Sequence, residues 1–150
     1  MVLAFFAALS LRIGVPSQAQ AEQPQGCTLR VHVDGLRNDK GVVGILLFES
    51  PDGWPENVAK SLRHEAAPMA DGQKQTTVTI PNVPAGDYGV VALHDENKNM
   101  KLDKNLIGYP KEGFGFANNP HVGFGPAPFR AALIHVACPA TETQIHIIYK

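Results

Sequence analysis

A chain of 150 residues with 13 Lys+Arg against 14 Asp+Glu has a formal net charge of −1, so it lacks the clustered excess of basic charge that a nucleic-acid partner requires. Its length suits one domain with a hydrophobic core of its own. The 14 glycines and 12 prolines argue against long helices and for a fold rich in turns.

The chain opens on an apolar run, Met1-Val2-Leu3-Ala4-Phe5-Phe6-Ala7-Ala8-Leu9-Ser10-Leu11, and Ala19-Gln20-Ala21 then places small residues at alternate positions, as a signal peptidase requires. Residues 1–21 read as a secretory signal peptide cleaved after Ala21, and residues 22–150 as a single domain. No basic residue precedes the run and Arg12 follows it, which leaves the true start codon open. The same Arg12 interrupts the roughly 18 apolar residues that a transmembrane anchor needs. The mature chain is therefore expected in the periplasm or outside the cell, without an anchor and as a monomer.

Cys27 and Cys138 are expected to pair, since an exported chain meets an oxidising compartment. Closing a loop of about 110 residues contributes roughly 4–5 kcal/mol in the chain-entropy account. Lipid acylation of Cys27 is the competing use, but Pro24-Gln25-Gly26 lacks the apolar residue usual three positions before such a cysteine. A metal-binding pair would need a CxxC-type cluster, which neither cysteine has.

Leu29, Val31 and Val33 alternate with Arg30, His32 and Asp34, the period-two pattern of a strand with one wet face. Turn chemistry at Gly35–Gly41 leads into a second strand, Val42–Glu49, and the two read as a β-hairpin. Gly44 inside that strand suggests a bulge or a close backbone approach. From Ser50 to Gly72 the pattern is broken by Pro51, Pro55 and Pro68. Only Glu56–Glu65 suits a short helix there, and the segment reads as a crossover between sheets. Gln75–Ile80 alternates again. Asp87–His94 reads as a buried strand, with Tyr88, Val90 and Ala92 on one side and Val91 and Leu93 on the other. Phe129–Ala137 and Thr143–Tyr149 complete the set, the last with Ile145, Ile147 and Tyr149 facing one way. The expectation is an all-β fold: a single Greek-key β-sandwich of about seven strands, transthyretin- or immunoglobulin-like, with long loops and at most a short helix.

The densest chemistry lies just after the buried strand. Asp95, Asn97, Asn99 and Asp103, with the Lys101 carbonyl between them, follow the spacing by which oxygen-binding loops aim ligands at calcium. Met100 stands where such loops carry glycine, and Leu106 where they carry a bidentate acid, although Glu112 can reach back. Lys98, Lys101 and Lys104 offset Asp95, Glu96 and Asp103. The alternative is a ladder of Asx turns, in which these side chains bond nearby amides and fix the loop without metal. His94 at the strand end can orient Asp95 or act as an acid or base. Glu96, Asp103 and Glu112 offer a carboxylate pair of the kind glycoside cleavage uses. Phe114, Phe116, Phe124 and Phe129 among neighbouring glycines suit either a cover for the end of the sandwich or a platform for a ligand. His32, His135 and His146 on strands invite a transition-metal reading only if they converge. No nucleophile elbow, phosphate-cradling loop or zinc-protease helix occurs, so an enzyme is not expected.

Pro84-Ala85-Gly86-Asp87-Tyr88-Gly89-Val90, then His94-Asp95-Glu96-Asn97 through Leu102-Asp103, then Gly108-Tyr109-Pro110-Lys111-Glu112-Gly113-Phe114-Gly115-Phe116-Ala117-Asn118-Asn119 together resemble the bacterial family catalogued as domain of unknown function 2141. Gly125–Phe129 and Ala131-Ala132 match its tail, while Met100 replaces a glycine and Ala117 a serine of the family pattern. The resemblance implies an exported sandwich similar in outline to transthyretin-like or collagen-adhesin-type domains, with no assigned activity. The expected function is a small exported binding or accessory module of unknown ligand and partner. Its loop holds calcium structurally if it holds any cofactor, and its ligand loop comprises His94, Glu96, Glu112, Phe114, Phe116, Asn118 and Asn119. The competing expectation is a periplasmic hydrolase or isomerase using His94 with nearby carboxylates.

Overall fold

The structure, a computed structural model, describes residues 26–108 and 110–150. The signal peptide expected at 1–21, with cleavage after Ala21, lies outside the described residues. Among the described residues there are eight strands: β1 (Cys27–Asp34), β2 (Val42–Phe48), β3 (Arg63–Pro68), β4 (Thr76–Val83), β5 (Gly86–Asp95), β6 (Gly113–Phe116), β7 (Leu133–Val136) and β8 (Ala140–His146). One sheet runs β4-β1-β8 and the other β3-β2-β5-β6, with β7 pairing the Gly86–Gly89 half of β5 while β6 takes the Val91–His94 half.

The alternation in β1 works as expected. Leu29, Val31 and Val33 face the other sheet and meet Val43, Ile45 and Leu47 of β2, Val90 and Ala92 of β5, and Ile145 of β8. Each such side chain, fully buried, stabilises the fold by about 1.5–3 kcal/mol. The result is an all-β sandwich.

β2 and β5 are apolar on both faces because the five-stranded sheet is covered on both sides. Leu46, Phe48, Val91 and Leu93 look away from the sandwich into a second cluster completed by Trp54, Phe114, Phe116 and Phe129. Trp54 centres it, with ring centroids 5.4–5.5 Å from Phe48, Phe116 and Phe129, and its Nε1–H donates to the Ala127 carbonyl at 2.8 Å. Gly89 lets the Phe129 ring lie on the sheet, since a Cβ there would stand 2.5 Å from that ring.

Cys27 and Cys138 form a disulfide, with Cα atoms 4.5 Å apart and a sequence separation of 111. The bridge stands at the head of a parallel ladder in which β1 pairs with β8, from Thr28↔Ala140 to Asp34↔His146.

Several expectations are corrected. β1 and β2 are not a hairpin; they lie in different sheets, because both edges of β1 are taken by β4 and β8 and the connecting Leu36 buries itself in the core. The helix expected at Glu56–Glu65 is one 3-10 turn, Val58–Lys60, begun by the Asn57 side chain, after which β3 pairs back onto β2. Residues 50–68 therefore stay with one sheet, and the chain crosses to the other after them, in the link from β3 to β4. Gly44 is neither a bulge nor a close approach: its ladders run without a shift and a Cβ there would meet nothing within 4 Å. Phe129–Ala132 is a 3-10 turn rather than the start of a strand. Phe114, Phe116 and Phe129 cover the outer face of the five-stranded sheet rather than the end of the sandwich, and Phe124 is exposed.

Candidate functional site

β5 delivers His94 and Asp95 to the start of the acidic loop. His94 is completely buried. Its Nε2 faces the Lys40 carbonyl at 2.8 Å and its Nδ1 the Tyr149 hydroxyl at 2.7 Å. A carbonyl only accepts, so Nε2 carries a hydrogen; the Tyr149 oxygen accepts the Arg37 backbone N–H at 3.0 Å and shares a hydrogen with Nδ1. No carboxylate is among the described partners of His94, and the ring is closed to solvent.

Above this pair the Arg37 guanidinium lies 4.6 Å from the centroid of the Tyr149 ring. Its Nε donates to Glu96 at 2.9 Å, and a second guanidinium N–H bonds the other carboxylate oxygen. These Arg37 bonds, against the opposing effect of burial and with help from Asn38, hold the Glu96 carboxyl well below its ordinary range, at about 2. Burial pushes the Tyr149 hydroxyl up.

Asp95 turns away from His94 into the loop, where it accepts the Asn99 N–H at 3.1 Å and the Met100 N–H at 2.6 Å. Asn97 and Asn99 accept the N–H groups two residues on, at 3.0 and 2.8 Å, and both donate their amide hydrogens to Asp103, at 2.6 and 2.9 Å. The ladder thus comes together, in the arrangement of successive Asx turns. Lys101 takes part through its N–H. Glu112, also buried, accepts the Glu96 N–H at 3.1 Å and the Asp103 N–H at 3.2 Å, clamping the two arms of the loop. Met100 adopts φ 59°, a left-handed conformation that costs a side-chain-bearing residue about 1–2 kcal/mol and that its bond to Asp95 offsets. Among the described residues no group of three or more His, Cys, Asp or Glu is arranged to hold a metal ion.

Beside this loop the outer aromatic cluster is incomplete and leaves a cleft of about 260 Å³. Val91, Leu93, Phe114 and Phe116 line it, and its lips are the segments around Ile107 and Phe124, which are 78% and 96% exposed. Lys104 stands at its mouth, paired to Glu56 at 2.7 Å. Lys150 stands there too, its Nζ donating to the Val122 carbonyl at 2.8 Å. Leu93 also lines a second cleft of about 260 Å³, shared with Gly44, Leu46, Met100 and Lys101.

A family model covers residues 31–144, under the description uncharacterized protein conserved in bacteria (DUF2141). The chain belongs to this family. No curated protein and no solved structure matches it. The matched DUF2141 region runs from Val31 in β1 to Gln144 in β8, so it contains the acidic loop and most of both clefts.

The remaining candidates in this DUF2141 chain hold the fold together. Asn118 donates to the Ala131 and Leu133 carbonyls at 3.2 and 2.8 Å. Asn119 donates to the Gln144 carbonyl and accepts the His146 N–H at 2.7 Å, joining the end of β6 to β8. The strand histidines do not converge: His146 pairs with Asp34, His32 with Thr77, and His135, in the other sheet, with Asp87. Burial pushes the Asp34 carboxyl up, but the bonds from His146 and Gln144 outweigh it and its pKa is lowered. The cleft was not foreseen from the residues. Its signal in the sequence is that Leu102, Leu106, Ile107 and Phe124 lie in polar loops without a pattern to bury them.

Proposed function

We propose that this chain is an exported binding or accessory module whose recognition surface is the outer face of the five-stranded sheet. The observation that carries this reading is the apolar cleft with exposed Ile107 and Phe124 at its lips, set against a loop that is rigid by its own hydrogen bonds. Concave, mostly apolar sites with a few polar groups at the edge are where small ligands bind, and an apolar patch left in solvent marks a site of interaction. The disulfide supports an oxidising compartment. Among the described residues no helix is long and apolar enough to cross a membrane. A hydrolase or isomerase built on His94 gains no support, because the ring is buried and Asp95, Glu96 and Glu112 are each engaged elsewhere.

The test is Nile red, a neutral dye that brightens in apolar surroundings, titrated onto the mature chain. Saturable binding that Leu93→Trp suppresses is the expected result; an unsaturable or absent signal overturns the reading.

A structural calcium ion in the loop is a second reading, favoured by the meeting of Asp95 and Asp103 with two asparagine amides in one cluster. It requires Asn97 and Asn99 to turn their oxygens toward Asp103 and to give up their Asx turns. A melting temperature that climbs with millimolar calcium supports this reading, and one that stays level supports the metal-free ladder.

A further inference from the structure

We propose that the cleft takes a single-chain amphiphile with an anionic head group, of which a fatty-acid carboxylate is the simplest example. This rests on the binding-module reading and adds to it the class of ligand. Two observations carry the choice. First, the surface offered by Val91, Leu93, Phe114 and Phe116 is apolar, and these residues sit on the β5–β6 ladder, whose backbone groups bond within that ladder, to β2 and to Ile148 and Asn119. A peptide or sugar seated there would bury polar groups without partners, which is costly; an alkyl chain would not. Second, the two lysines that line the cleft differ in their partners. Lys104 is matched by Glu56, whereas Lys150 has the Val122 carbonyl as its hydrogen-bond partner, and an ammonium has three hydrogens to give. A carboxylate at that point gains a charge-assisted bond, and a cationic head group meets repulsion. The apolar lips at Ile107 and Phe124 then leave water by closing on the chain.

Displacement of bound Nile red from the mature chain separates the possibilities, using three monomeric twelve-carbon probes: dodecanoate, dodecyl maltoside and dodecyltrimethylammonium. Dodecanoate is expected to compete about tenfold more tightly than the cationic probe, the ratio that one charge-assisted bond supplies. Lys150→Glu is expected to erase that preference and to leave the maltoside within about twofold of its original affinity. Equal affinities for the three probes, or a preference unchanged by Lys150→Glu, would overturn the anionic assignment while leaving the binding module standing. Nile red that never binds saturably removes both. Attachment to anionic vesicles without displacement by monomeric dodecanoate would assign the face to a lipid surface and also overturn the proposal. If Leu93→Trp fails to fold, Gly123→Leu blocks the cleft from a position where a Cβ meets nothing within 4 Å.

Discussion

Removing the Tyr149 hydroxyl strands two partners at once, the Arg37 N–H and His94 Nδ1, and His94 has no access to water in exchange. Tyr149→Phe is therefore expected to cost about 1–3 kcal/mol, measured by urea denaturation. Glu96, close by, sets an acid limit. Its folded pKa of about 2 lies below its ordinary 4.5, so between those values the folded chain binds fewer protons than the unfolded one. The stability it contributes is complete above about pH 4.5 and is lost as pH falls toward 2. A shift of that size corresponds to at most about 3 kcal/mol, and solvent around the half-exposed Arg37 reduces it. Denaturation at a series of pH values should show a shallower acid limb in Glu96→Gln than in the parent; identical limbs would contradict the assignment.

At the scale of elements, Glu112 ties the two arms of the loop together, and Gly44 leaves the second cleft open. Glu112→Gln keeps one acceptor but turns an amide nitrogen toward a backbone N–H. Hydrogen exchange at Glu96 and Asp103 is expected to speed up, with a loss of about 1–3 kcal/mol in stability. Gly44→Ala should be neutral or stabilising by about 0.5–1 kcal/mol, measured by urea denaturation, since it relieves a glycine in a strand interior and its Cβ meets nothing within 4 Å. The strands that were legible were those where period two or an unbroken apolar run had one cause. β1 alternates because one face is wet, and β5 does not because both faces are covered. β3 and β6 were not legible. The exposed residues of β3 carry no pattern, and β6, Gly-Phe-Gly-Phe, is half glycine because close packing requires it: a Cβ at Gly115 would lie 2.5 Å from the His146 carbonyl oxygen. The partners of a strand are set by long-range packing, which is why the β1–β2 turn chemistry suggested a hairpin that burial of Leu36 prevents. Spacing identified the acidic cluster, and the expected compartment the pairing of Cys27 with Cys138. It could not tell an oxygen aimed at a cation from one aimed at an amide, and it could not show a cleft formed by segments that meet only after folding.

For the whole molecule, the Cys27–Cys138 bridge is expected to contribute roughly 3–5 kcal/mol, given the length of chain it closes. Cys27→Ser with Cys138→Ser should lower the urea midpoint accordingly; an unchanged midpoint would mean that the ladder beside it already fixes the ends. That ladder has a temporal consequence. β1 lies between β4 and β8, and its parallel neighbour ends at His146, so a chain that emerges from a ribosome amino end first cannot finish this sheet until His146 is out. Completion waits on β8, and until that strand arrives β1 holds one edge open.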